Sequence, residues 1–398
     1  MRRRTNFSRI GKNTAVLTAL LAVSMFFSAP AFGAEKPESM DDASWERLQD
    51  NVLEYDELED RVANFNPTML QIVRTIDDSY DTVSENAADY QEAANDFLRL
   101  YEDAVDEGDY ESAYMYQINR RIALQMSSTY LKQENRKDTI MDRNTRQYRK
   151  MFTSACQQLM VAYNQMAVNQ ATLEKQVELY GQMAALARTR GSMGMNTQTD
   201  ILSAEANLHS AQSSLTQLND QMASVKRSLL LMTGWDYDSD VVIGSIPKAD
   251  VSRLDSIDLE ADKAIAPSNN YTIIGMRNSS PNDADGDGVY ENKDYRAREQ
   301  SVDQATQQLS ITLDSLYQTL FEKKAALQAQ ETAFQAAQMN WNAAVAEHQL
   351  GMLGETAFLG QQISYYAAQA SYQSADLDMT QAMLNYYWAV NGLGELTQ

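Results

Sequence analysis

A long internal repeat, seen when the chain is shifted by 157 residues, limits the possible folds more than any other feature. The shift places Gly351 on Gly194 and Thr356 on Thr199. On both sides of each glycine, apolar residues recur at alternating spacings of three and four. A stripe of period 3.5 sustained over long arms predicts left-handed coiled-coil packing. We therefore predict an all-α protein built from duplicated long antiparallel coiled-coil hairpins that turn near Gly194 and Gly351.

Proline usage agrees with long helices. Proline is absent from 68 to 246 and again from 282 to 398, and these spans are rich in good helix formers. An arm of about 55 residues would be about 80 Å long. A helix of that length cannot bury its apolar stripe alone, so we expect it to lie against other helices.

The first 33 residues read as a secretory signal peptide. Arg2, Arg3 and Arg4 precede an apolar run at 15–27, and small residues follow near Ala31 and Gly33. The chain is therefore predicted to be exported, and no later stretch is apolar enough for a membrane-spanning helix.

The remaining residues are strongly acidic, with 28 basic and 55 acidic side chains and a net charge of −27. Nucleic acid is an unsuitable partner because its binding needs a basic face. A cation-attracting conduit or a soluble extracytoplasmic surface fits this charge. The single cysteine, Cys156, lies in the apolar stripe and is predicted to pack as a small core residue.

The predicted organisation has four parts. After the signal peptide, 34–66 is an N-terminal segment with a short helix from Trp45 to Phe65. The first helical-hairpin repeat is 67–247, and the second is 248–398 with an acidic loop at 279–294. From Asn66 to Gly194 is 128 residues, whereas from Asn270 to Gly351 is 81. The second copy is therefore shorter by 47 residues, roughly one outgoing helix.

Three groups of residues resemble the TolC-like outer-membrane efflux factor family, over Trp45 to Leu393. In the first copy they are Asn66-Pro67-Thr68-Met69 at the start, Arg190 to Gly194 with Asp200-Ile201-Leu202 at the tip, and Leu231-Met232-Thr233-Gly234 at the close. In the second copy they are Gly351, Phe358-Leu359 and Val390-Asn391-Gly392-Leu393. Ala357 departs from the aspartate that the family prefers.

This resemblance implies a homotrimer that forms a helical tunnel of the cell envelope. Its tip turns would dock a periplasmic adaptor protein, and an inner-membrane transporter would supply the substrate. It implies a location in the outer membrane or periplasm, and otherwise an extracytoplasmic surface. The implied docking residues are those at the tips: Arg190, Gly194, Asp200, Leu202, Gly351, Thr356 and Leu359.

One departure from the family concerns the membrane domain. The family places two strands per repeat between its outgoing and incoming helices, but here the first copy has helix-forming sequence and the second has the acidic loop. We therefore predict a TolC-like helical-barrel protomer with little or no β-barrel. The alternative function is a non-transporting structural coiled-coil scaffold of the envelope.

The acidic loop has the spacing of an EF-hand-type calcium loop. Acidic residues stand at positions 1, 3, 5 and 12, and glycine stands at position 6. A Ca²⁺ ion and a solvated loop without metal are both compatible with it. The candidate ligands are Asp283, Asp285, Asp287, Val289 through its carbonyl, Glu291 and Asp294.

Catalytic motifs are missing from the sequence. The only two histidines, His209 and His348, lie on different arms. Neither a P-loop nor the H-E-x-x-H or G-x-S-x-G pattern occurs. The chain is predicted not to be an enzyme.

Overall fold

The computed structural model describes residues 36–37, 40–107, 109–134, 137–279 and 292–394. Within these ranges the helices are α1 (Asp42–Arg47), α2 (Leu58–Phe65), α3 (Pro67–Glu107), α4 (Tyr110–Glu134), α5 (Lys137–Ser192), α6 (Gln198–Met232), α7 (Leu259–Asn269), α8 (Tyr271–Asn278), α9 (Asn292–Gln349) and α10 (Glu355–Trp388). Two short strands are β1 (Val52–Leu53) and β2 (Val242–Ile243), which pair in parallel.

The predicted all-α fold of long hairpins is confirmed. Helices α3 and α4, α5 and α6, and α9 and α10 pack as antiparallel pairs. The first long helix begins at Pro67, within the predicted start motif. None of the helices in the described ranges is both long and apolar enough to cross a membrane.

The predicted single helix from Trp45 to Phe65 is wrong. Helix α1 ends at Arg47, and the chain then forms β1 and a 3-10 turn at Tyr55–Glu57 before α2 begins. The reason is a distant partner: β1 pairs with β2, and this pairing buries Leu53 and Val241.

The described residues fall into two compact units, each treated by itself. The first contains the described part of Met1–Arg47, with Asp60–Arg149 and Leu231–Ser239. Its main feature is the α3–α4 hairpin, whose seam is made of small buried residues: Ala87, Ala94, Ala104, Ala113, Ala123 and Ser127. Small side chains let the two backbones approach, so that the Ser127 hydroxyl donates to the Ala87 carbonyl at 2.9 Å.

A buried asparagine closes the first repeat. The Asn66 side chain accepts from the Met69 amide at 2.7 Å, which caps α3, and donates to the Met232 carbonyl at 2.6 Å. Gly234 follows α6 with φ +80°, and a Cβ there would overlap the backbone of Phe65. The predicted start and close motifs therefore meet in space.

Arginine and aromatic rings surround this closure. Arg61 is buried and donates from Nε to the Thr233 carbonyl at 3.0 Å. Its guanidinium lies 4.6 Å from the Phe65 ring centroid and 4.1 Å from that of Trp235. Trp45 also stacks on the Phe65 ring. Such cation–π contacts stabilise a desolvated arginine.

The second unit contains Leu48–Glu59, Lys150–Leu230 and the described part of Asp240–Gln398. Its core lies where α7 and α8 pack on the base of the α9–α10 hairpin. The fully buried side chains there include Ile273, Leu309, Leu313, Leu320 and Met379.

The second repeat closes in the same way as the first. Asn270 accepts from the Ile273 amide at 3.1 Å and donates to the Gly394 carbonyl at 3.0 Å. Gly392 has φ +112°, and a Cβ there would lie 2.5 Å from the Asn269 carbonyl oxygen. This shared closure extends the duplication beyond the hairpin arms.

Candidate functional site: the two hairpin tips

The first tip lies between α5 and α6. Gly194 has φ +74°, a left-handed conformation that glycine adopts without strain. Its amide donates to the Gly191 carbonyl at 2.9 Å, and the Met195 amide donates to the Arg190 carbonyl at 2.8 Å. This pair of bonds is a Schellman motif, which satisfies carbonyls at the helix end.

The second tip, between α9 and α10, repeats these bonds. Gly351 has φ +73°, its amide donates to the His348 carbonyl at 2.9 Å, and the Met352 amide donates to the Glu347 carbonyl at 2.8 Å. Both predicted turn glycines therefore occupy the same place in the same motif.

The return helices begin differently. At α6, Thr197 and Asp200 form a capping box: the Asp200 carboxylate accepts from the Thr197 amide and hydroxyl, each at 2.8 Å, and the Thr197 hydroxyl accepts from the Asp200 amide at 3.2 Å. At α10, Gly354 takes the cap position without a side-chain bond. The predicted docking residue Asp200 is therefore also a local structural residue.

The pKa of the Asp200 carboxyl lies below its ordinary 3.8 because the Thr197 amide and hydroxyl donate to the carboxylate. A depressed folded pKa means that the capping contribution is present above pH 3.8 and is lost as the pH falls through the lower folded pKa. We expect amide protection in the first turn of α6 to fall on acidification.

Hydrogen exchange of 198–203 measures this effect. Thr197→Ala should reduce protection at neutral pH, and Asp200→Asn should remove most of its dependence on acid. Thr216→Ala, which deletes an exposed hydroxyl bonded to Gln212 on the same helix, is the control. Unchanged protection in Thr197→Ala would refute the capping assignment.

Two polar contacts join residues at the tips. The Arg190 guanidinium donates to the Thr356 hydroxyl at 3.4 Å, which joins the first tip to the second. Arg188 pairs with Glu205 at 2.7 Å across the first hairpin. The structure thus brings together Arg190 and Thr356, two of the predicted docking residues.

The other predicted docking residues differ in exposure. Gly194, Asp200 and Gly351 are exposed. Leu202 and Leu359 occupy equivalent repeat positions, yet Leu202 is 55% exposed and Leu359 only 3%. The sequence pattern treats these two leucines alike, and the structure does not.

Four exposed apolar residues at the tips escaped the sequence reasoning. Met193 and Met195 flank Gly194 and are 57% and 71% exposed. Leu350 and Met352 flank Gly351 and are 74% and 75% exposed. An apolar–glycine–apolar triplet at both turns was the signal that would have identified them. We call these four residues the tip knobs.

A ladder of stacked rings runs from the second tip along the α9–α10 seam. Neighbouring ring centroids lie 4.1 to 6.0 Å apart. The rings repeat every seven residues on each arm: Phe334, Trp341 and His348 on α9, and Phe358, Tyr365 and Tyr372 on α10. The aromatic side chains of this seam therefore pack against one another, as aromatic pairs prefer.

The first hairpin has a different seam at the equivalent positions. These residues are small or aliphatic: Val177, Ala184, Gly191, Ile201, Leu208 and Leu215. A Cβ on Gly191 would lie 2.5 Å from Ile201 Cδ1, so the side chain of Ile201 fills the space beside the glycine. The two hairpins thus have the same backbone arrangement, but different side chains fill the seam between their helices.

The calcium prediction falls mostly outside the described residues. Asp283, Asp285, Asp287, Val289 and Glu291 lie there, whereas Asp294 is buried in the first turn of α9. Among the described residues, no group of three or more His, Cys, Asp or Glu side chains is placed to hold a metal ion. Calcium binding at the acidic loop stays a prediction.

Solved structures of outer-membrane channels match most of the chain. The outer membrane protein VceC from Vibrio cholerae is 14% identical, covers 69% of this chain and 76% of its own, and has a TM-score of 0.44. The outer-membrane channel OprN is 11% identical, with coverages of 92% and 98% and a TM-score of 0.47. The Campylobacter jejuni CmeC outer membrane channel is 10% identical, with coverages of 93% and 92% and a TM-score of 0.44.

Neither a protein-family model nor a curated protein matches the chain. The structures that match over most of the chain are described as outer-membrane channels. At these identities the likeness concerns the fold alone.

Proposed function

We propose that this chain is the protomer of an export conduit in the cell envelope. Three copies form a helical tunnel, an adaptor protein docks on the tips, and an inner-membrane transporter delivers the substrate through the adaptor. The observation that carries this proposal is the pair of matched tips, with identical turns joined by Arg190 and Thr356. Two hairpins held in register at one end suit a docking ring.

The different exposure of Leu202 and Leu359 supports a ring. In one copy the second hairpin buries its leucine, while the first leaves the equivalent leucine open. In a closed ring every hairpin has a neighbour on each side, so a second copy would cover Leu202. Head-to-tail interfaces that close in this way generate cyclic oligomers.

The tip knobs support docking. Each tip exposes two large apolar side chains beside a glycine that leaves the backbone accessible, since no atom lies within 4 Å of a Cβ placed at Gly194 or Gly351. Methionine adapts its shape to a partner surface at low cost. We expect the adaptor to present an apolar pocket to each knob pair.

The charge of the chain supports a preference among substrates. With a net charge of −27 after the predicted signal peptide, a tunnel made from three copies would concentrate cations at its entrance. Cationic and neutral substrates should therefore be exported better than anions of similar size.

Met352→Asp tests the docking surface. A charge placed among the tip knobs must be desolvated on docking, so we expect export to fall about tenfold or more without a change in folding. The measurement is retention of a cationic dye by cells that lack the chromosomal gene and carry either variant or wild-type protein. Met339→Asp, at a 67% exposed position farther along α9, is the matched control.

Two outcomes would contradict the proposal. Export by Met352→Asp at the wild-type rate would show that the tips do not dock the adaptor. Light scattering that finds the purified wild-type chain as a monomer or a simple dimer would exclude a closed conduit.

A further inference from the structure

Helix α4 has an apolar face that the protomer leaves uncovered. Its inner face packs on α3 through small residues, including Ala113 and Ala123. On the opposite side, Tyr114, Met115 and Ile122 are 64%, 51% and 54% exposed. Ile118 lies between them on the same side and is half-buried. We call Tyr114, Met115, Ile118 and Ile122 the α4 stripe.

The spacing of the α4 stripe indicates the shape of its partner. Met115, Ile118 and Ile122 are separated by three and four residues, the 3.5-residue period of a helix that packs along another helix. A helix lying on a lipid surface needs a wider apolar face than these residues form. The partner of the stripe should therefore be a helix.

The charges of the α3–α4 hairpin indicate whose helix it is. Helix α3 has eleven acidic and two basic residues, whereas α4 has three basic and two acidic residues. Arg121 and Lys132 are exposed on the flank of the α4 stripe. The chain as a whole is strongly acidic, so this basic border stands out against its surroundings.

The acidic residues of α3 form a matching row. Since residues seven apart share a face of a long helix, the row lies on the side away from the buried Ala87 and Ala94. All five of its members are exposed: Asp78, Glu85, Asp89, Glu92 and Asp96. These acidic side chains lie on the face of α3 opposite the α4 of their own copy. Arg121 and Lys132 of another copy, its basic border, can therefore reach them.

We propose that the α4 stripe packs against the α3–α4 hairpin of a second copy, with its basic border beside the acidic row of that copy's α3. This interface rests on the proposed ring, because each hairpin offers a different surface to each neighbour and the contact is head-to-tail. An apolar centre with a charged rim is the usual anatomy of a protein interface. The extra helix of the first repeat would then form a second ring of contacts between the copies.

Ile122→Glu tests the interface through oligomeric state. A glutamate at the centre of the α4 stripe would be buried without a partner, so we expect the dissociation constant of the oligomer to rise about tenfold or more. Gln117→Glu adds the same charge at an exposed position of α4 outside the stripe and should leave the oligomer unchanged. Light scattering over a dilution series gives the dissociation constant, and circular dichroism verifies that each variant stays helical.

Cysteine cross-linking tests the head-to-tail arrangement without weakening the interface. One preparation has Ile122→Cys and the other Asp89→Cys, and the two are mixed with a short bismaleimide. The native Cys156 does not interfere, because it is fully buried and burial raises the pKa of its thiol to about 12. We expect a cross-linked dimer in the mixture and much less in either preparation alone.

The outcomes separate this inference from the proposed conduit. A monomeric wild-type chain would refute both. A wild-type trimer that Ile122→Glu leaves intact, or a cross-link formed by Ile122→Cys alone, would refute the inference only. Flotation with vesicles of phosphatidylcholine and phosphatidylglycerol gives a further test. If the wild-type protein floats, Ile122→Glu does not, and both stay oligomeric, the α4 stripe is a lipid-binding face and the inference fails.

Discussion

Gly234→Ala is expected to lower the free energy of unfolding by about 3 to 5 kcal/mol. The residue has φ +80°, which costs an alanine about 1 to 2 kcal/mol. The added Cβ would also lie 2.5 Å from the Phe65 Cβ and closer still to its carbonyl oxygen. Because these are backbone and Cβ atoms, they cannot move aside as a flexible side chain would. Urea unfolding followed by circular dichroism gives the change.

Gly194→Ala is the matched control for conformation alone. Gly194 has nearly the same φ, +74°, but no atom lies within 4 Å of its added Cβ. We expect a loss of about 1 to 2 kcal/mol there. Gly392→Ala in the second repeat should resemble Gly234→Ala, since its Cβ would crowd the Asn269 carbonyl. Equal losses at Gly194 and Gly234 would show that crowding at the closure is unimportant.

Asn66→Ala is expected to cost about 3 kcal/mol. The substitution deletes the cap of α3 and leaves the Met69 amide and the Met232 carbonyl without this partner. Asn66 is 2% exposed, so water cannot easily replace those hydrogen bonds. The loss of a cap costs about 1 kcal/mol, and each buried unpaired group adds about 1 kcal/mol or more.

Asn64→Ala controls for the removal of an asparagine from the same stretch of chain. Asn64 donates to the Asp60 carbonyl on an exposed surface, where water can substitute for it. We expect a loss below about 0.5 kcal/mol. If Asn66→Ala is no more damaging than Asn64→Ala, the buried asparagine does not hold the repeat closed.

The hairpins and their turns could be predicted because the signals for them are local. The 3.5-residue stripe determines which face of each arm is buried, and a left-handed turn favours glycine at Gly194 and Gly351. The segment from Trp45 to Phe65 was predicted wrongly for the opposite reason. Its amphipathic spacing is real, but β1 pairs with a strand about 190 residues away, and a local pattern has no information about that partner.

That the tip residues form a docking site stays a prediction. Arg190 and Thr356 do meet, but the heptad pattern could not distinguish the buried Leu359 from the exposed Leu202, because it gives one face per helix and not the neighbour of that face. The tip knobs were missed because methionine and leucine are ordinary in a helical sequence. Only their position beside a turn glycine makes them unusual.

The unlike seams of the two hairpins have a consequence for folding. A duplicated chain risks exchanging arms, since α5 could pair with α10, or α9 with α6, in the same heptad register. The stacked ring pairs form only when α9 meets α10, and each contributes about 0.5 to 1.5 kcal/mol beyond its buried area. Likewise, the hydrogen bond from Gln170 to Asn219 forms only when α5 meets α6. Divergence of the seams thus lets each arm recognise its own partner, although both copies retain one backbone plan.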